Sequence, residues 1–237
     1  HFFEHMMFQG SDNVGDEQHF KIVSDAGGTL NGSTNRDRTN YFQTVPSNQM
    51  EKMLWLEADR MGFLLDAVTQ KKFEIQRSTV KNERGQNYDN RPYGLAGETA
   101  SRNLYSYGHP YSWLTIGYVE DLNRVNVDDL KNFFLRWYGP NNAALTVGGD
   151  VKPAQGVKLV EKYFGSIPRG PEVSPVQVPP AVVKQDRYVS YTDNYAKLPL
   201  LSVVFPSVPI YHKDMGALTC LSQVLGQGRN SVLYQQL

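Results

Sequence analysis

The segment His1-Phe2-Phe3-Glu4-His5-Met6-Met7-Phe8 sets three ionisable side chains into a stretch that is otherwise apolar. Read as a helix, it places His1, Glu4 and His5 on one face, because a turn takes about 3.6 residues. The apolar neighbours Phe2, Phe3, Met6, Met7 and Phe8 require that helix to be largely buried. Ionisable groups in such surroundings are expensive unless they are paired or bound to an ion. Two imidazoles one turn apart can grip a single metal, with a carboxylate beside it to act as a general base. The order H-x-x-E-H is therefore read as most of a catalytic zinc site, which needs three protein ligands and one open position. The competing reading, a solvated helix face carrying two histidines and an acid, fits these neighbours poorly.

A third ligand must come from elsewhere. Lys72 to Arg84 reads as a helix with Phe73, Gln76, Val80 and Glu83 on adjoining positions of one face. Spacing alone leaves both Glu74 and Glu83 open.

Other segments punctuate clearly. Asp16 to Asp25 reads as a helix stopped by Gly27-Gly28, and Thr29 to Val45 as a strand pair around Asn35-Arg36-Asp37. Asn48 to Leu65 is amphipathic, with Met50, Met53, Leu54, Leu56 and Met61 toward a core. Val127 to Trp137 is a helix capped by Asn126, Ala143 to Val147 a short buried strand, and Val157 to Phe164 a helix. Prolines between Pro168 and Pro180, five with both ends counted, mark a linker; beyond it Tyr188 to Val208 is strand-rich and Met215 to Leu237 helical. Segregated runs of strands and helices predict an α+β fold, helices packed on a mainly antiparallel sheet. The domains predicted are 1–170 with the metal site, a linker at 171–180, and the start of a second domain at 181–237.

Composition narrows the partners. Lys and Arg total 24 against 24 Asp and Glu, which gives no basic excess for nucleic acid or an anionic membrane. No apolar run approaches the roughly 18 residues of a membrane span. The single cysteine, Cys220, rules out an internal disulfide and a C-x-x-C metal site, and reads as a small core residue. His19 and the trio Glu57, Asp59 and Arg60 read as surface residues, and His109 as a loop residue.

With His1 to His5 and Val80-Lys81-Asn82-Glu83-Arg84-Gly85 in view, the sequence resembles the pitrilysin/insulinase family of zinc metallopeptidases. The resemblance runs through Gly27 to Thr34, Thr39-Asn40-Tyr41, Asn90 to Gly94, His109-Pro110-Tyr111, Ile116-Gly117, and Trp137 to Asn142 continuing to Asp150. It implies that His1, His5 and Glu83 are the zinc ligands and that Glu4 is the general base for the attacking water. It implies that Asn31 and Gly32 lie on a strand that binds substrate backbone as an added strand, so that extended peptides are the substrates. Gln76 stands where many members carry a second, supporting glutamate; an amide still hydrogen-bonds but adds no charge. The family also implies two similar domains per half-molecule, the first here lacking its opening strands and the second truncated, with a second homologous half closing over the substrate. A bacterial periplasmic setting follows from the same likeness. The rival reading is a non-catalytic partner or scaffold subunit, against which the intact His1, Glu4, His5 and Glu83 argue.

Overall fold

Helix α1 (Phe2–Met6) is only 5 residues long, far too short to be helical on its own. Packing supplies what length does not. Phe3, Met6 and Met7 are buried against Leu64, Val68 and Phe73, and against Leu130 and Phe134. Phe73 opens the buried face of α4 (Gln70–Arg84), and Leu130 and Phe134 belong to α7 (Val127–Trp137). Met6 and Phe73 are fully buried, and an aromatic side chain so placed contributes about 2–3 kcal/mol of transfer free energy. The start of α4 is set by Thr69, whose hydroxyl accepts from the Lys72 N–H at 3.3 Å. The start of α7 is set by a reciprocal cap between Asn126 and Asp129. The computed structural model describes all residues from 1 to 237.

A second core lies under a hairpin. Val14, Val23, Ala26, Met53 and Leu56 are buried together, joining α2 (Gln18–Asp25) to α3 (Met50–Phe63), with Leu30 and Val45 of the hairpin packed on them. The hairpin pairs β1 (Thr29–Thr34) with β2 (Thr39–Thr44), antiparallel, in the register Thr29 to Thr44 and Thr34 to Thr39. Asn35 holds its turn: its side-chain oxygen accepts from the N–H groups of Asp37 and Arg38, each at 2.9 Å. Gly28 enters β1 where a Cβ would stand 2.6 Å from the Thr44 carbonyl oxygen, so no other residue fits.

The remaining helices are α5 (Ala96–Leu104), α6 (Val119–Arg124), α8 (Pro153–Phe164), α9 (Met215–Gly226) and α10 (Val232–Gln236). Lys162 and Tyr163 of α8 both reach Glu51 Oε1 of α3 at 2.8 Å. No helix is long and apolar enough to cross a membrane.

The architecture is α+β with an antiparallel sheet, but the sheet has two strands only, and two expected strands are absent. Residues 143–147 and 188–208 form no ladder, and Leu145, Tyr188, Leu201 and Phe205 are exposed. A strand exists only where an edge receives its N–H and C=O groups, and neither segment meets such an edge in this structure. Cys220, expected in a core, is exposed on α9. Residues 168–183 have no regular structure.

Candidate metal centre

α1 and α4 lie side by side, and their polar residues meet at one point. His1 Nε2 is 3.5 Å and His5 Nε2 3.3 Å from Glu83 Oε2. One ligand atom from each of the three residues lies within 4.8 Å of the others. The imidazoles meet edge to face, 4.7 Å between centroids. These separations fit zinc: donors at about 2.0–2.1 Å from a tetrahedral ion stand about 3.3 Å apart. The donor set, two imidazoles and one carboxylate, also suits that ion. Glu83 retains a third of its side-chain exposure, 33%, so the site opens to solvent on one side. No lysine or arginine pairs with it, whereas Glu74 turns to Arg77 at 2.9 Å and to Gln70 at 2.8 Å on its own helix. That removes Glu74, which the sequence spacing left open, from the cluster.

Glu4, on the same face of α1, reaches β1. Its Oε2 accepts a hydrogen bond from the Thr34 hydroxyl. A Cβ added at Gly32 would stand 2.8 Å from its Oε1. The carboxylate thus links α1 to the hairpin. Asn35 N–H donates to the Arg38 carbonyl at 3.0 Å, which fixes the alternation along β1. The backbone groups of Leu30, Gly32 and Thr34 then face away from β2, along the free edge. Asn31 is exposed on the opposite face, and its side-chain oxygen accepts from the Gly32 N–H at 2.8 Å.

Gln76 is half-buried on α4 and hydrogen-bonds none of His1, His5 or Glu83. The end of α4 is held instead by Arg84, the residue after Glu83. Arg84 donates to Glu98 of α5 through both terminal nitrogens, at 2.8 and 3.2 Å, and to the Gly117 carbonyl at 2.7 Å. Burial opposes its charge, but Glu98 and Asp89 outweigh burial and leave the guanidinium pKa raised. Beyond it the helix widens into a π-turn over Gly85–Asp89, a form common beside functional residues.

Four residues read from sequence as solvated or surface-lying are buried or half-buried. His19 is 2% exposed; it packs edge-on against Phe8 and lies 3.7 Å from Glu57 Oε1. Burial lowers its pKa to about 3, with Arg60 adding to the effect. Asp59 and Arg60 are buried too, Asp59 accepting from Ser11 and Asn13 and Arg60 bonding Glu57 at 2.6–3.1 Å. The i,i+3 pair of Glu57 and Arg60 was legible in the spacing; the side of α3 facing the hairpin was not. His109 is buried as well, its Nε2 2.9 Å from the Pro179 carbonyl, stacked on Tyr105. His212 lies beside Asp214 at 3.6 Å, apart from the cluster.

A cavity of about 840 Å³ runs between β2, α3, α7 and α8. Its lining includes His1 but not Glu4, His5 or Glu83. The cluster therefore borders that cavity through His1, while Glu4, His5 and Glu83 lie outside its lining.

The family pattern described as Insulinase (Peptidase family M16) matches residues 1–106, and that described as Peptidase M16 inactive domain matches residues 124–237. The zinc protease PqqE of Helicobacter pylori is 31% identical over 243 residues, covering 100% of this chain and 53% of the relative. The mitochondrial-processing peptidase subunit beta of Caenorhabditis elegans is 25% identical, covering 96% of this chain and 48% of that protein. The crystal structure of a protease from Helicobacter pylori superposes with a TM-score of 0.80 at 29% identity, over 100% of this chain and 57% of that one. This chain spans about half the length of the curated relatives it matches.

Proposed function

The chain belongs to the insulinase family of peptidases, M16, and from that premise we propose that it carries the catalytic centre of a zinc metalloendopeptidase. The observation that carries the reading is the convergence of His1, His5 and Glu83 from two helices, with Glu4, on the same face of α1, reaching β1. His1, His5 and Glu83 hold the ion. When bound, zinc supplies Lewis acidity to a peptide carbonyl and to water. Glu4 takes the proton of the attacking water and returns it to the leaving nitrogen. The peptide lies extended along β1, exchanging main-chain hydrogen bonds with the outward groups of Gly32 and its neighbours. The Asn31 side-chain oxygen, which now covers the Gly32 N–H, marks where a substrate carbonyl docks. A substrate read through its backbone must be unfolded or short.

The same reading divides the chain into the metal-bearing domain 1–170, the linker 171–180 and a non-catalytic domain from 181. It assigns the opposite wall of the cleft to a second homologous half, in the same chain or a separate subunit. A bacterial periplasmic location is proposed with it, from the likeness of the Asn90–Gly94 region.

Hydrolysis of a quenched fluorescent peptide by the natural full-length protein tests the proposal. Activity should vanish with a chelator and return with zinc. Glu4→Gln should keep its zinc and lose about 10²–10⁴-fold in rate. An undiminished Glu4→Gln rate removes Glu4 from the mechanism, and a protein that binds no zinc and cleaves nothing is the scaffold subunit instead.

A further inference from the structure

The base of this site is held at one oxygen only. The Thr34 hydroxyl donates to Glu4 Oε2, and no other side chain hydrogen-bonds Glu4. Glu4 Oε1 faces Gly32, where an added Cβ would come within 2.8 Å of it. Thr34 is part-buried at the end of β1, on the face shared with Leu30 and Gly32, and is therefore fixed by the hairpin rather than by α1.

Proton counting gives the hydrogen bond a direction. A hydroxyl has one proton, and an ionised carboxylate can only accept. Thr34 gives its proton to Glu4, so across the 3.1 Å to the Thr39 hydroxyl it must accept. Both threonine hydroxyls then point their protons toward Glu4, an arrangement in which one bond polarises the next.

We propose that Thr34 is a positioning residue for Glu4: backed by Thr39, it pins one carboxylate oxygen and leaves the other, beside Gly32, to take the proton of the attacking water. The inference rests on the peptidase reading, yet its physical core, a bond between hairpin and base, exists without metal or turnover. Losing it lets the carboxylate rotate about its own side chain while the cluster of His1, His5 and Glu83 stays in place.

Two measurements test it. In the zinc-loaded full-length protein, Thr34→Val should lower kcat about tenfold to a hundredfold with zinc content and KM unchanged, and Thr34→Ser should recover to within about threefold. In the metal-free protein, a double-mutant cycle on the unfolding midpoint should show a larger drop for Thr34→Val when Glu4 is present than in the Glu4→Ala background. Additive midpoints, a Thr34→Val enzyme as fast as the parent, or a Thr34→Ser enzyme as slow as Thr34→Val would overturn the proposal. A parent protein that cleaves no peptide would instead sink the peptidase reading, while the cycle still scores the bond between Thr34 and Glu4.

Discussion

His5 stands 3.3 Å from Glu83, and His19 stands 3.7 Å from Glu57. Within its first 83 residues, then, the molecule presents two histidine–glutamate pairs of similar spacing and opposite character. At the buried pair, Arg60 already neutralises Glu57, there is no second imidazole, and water has almost no access. At the open pair a second imidazole joins from one turn away, no cation competes for the carboxylate, and Glu83 is partly exposed. Proximity of the two side chains is common to both. What separates a place for an ion from a place for a core residue is the local charge balance and a free approach.

The largest expected effect breaks the open pair. Glu83→Gln keeps the shape and removes the only negative ligand, so zinc affinity should fall by more than the roughly 10–100-fold typical of outer partners. Chelator competition measures it, and unchanged affinity would mean that the ion sits elsewhere. A smaller effect belongs to the buried pair. The folded pKa of His19, about 3, lies below its ordinary 6.5, so the unfolded chain takes up a proton that the native protein refuses. The stability linked to neutral His19 is therefore present above about pH 6.5 and is lost progressively as pH falls toward about 3. Arg60, Glu57 and Gln43 are the polar groups facing it. His19→Leu should flatten the fall in unfolding midpoint between about pH 7 and pH 5 without altering zinc binding; a slope equal to that of the parent would show that His19 is not the group responsible. The smallest effect is expected at Gln76, which hydrogen-bonds none of the three ligands. Gln76→Glu should change zinc affinity by less than about threefold, against the outer-partner range; a tenfold gain would place its carboxylate in contact with the cluster.

These contrasts also separate what could be read in advance from what could not. The face of α1 with His1, Glu4 and His5, the face of α4 with Phe73, Val80 and Glu83, the Asn126 cap and the hairpin turn at Asn35 all lie in patterns of a few residues. Helical period, capping and turn chemistry are local, so the amino-acid sequence determined them by itself. Resemblance to a family added the choice of Glu83, which spacing had left open.

Long-range partners are another matter. Only the tertiary structure decided that Glu74 is taken by Arg77, that Thr34 reaches Glu4 across 30 positions, and that His19, Asp59 and Arg60 go inside. It also decided that residues 143–147 and 188–208, though patterned as strands, stay unpaired. The physical reason is common to all of these. A side chain's period tells which face of its element it occupies, but which element covers that face depends on how helices and strand edges pack, and both hydrogen bonding and burial are completed only by the partner.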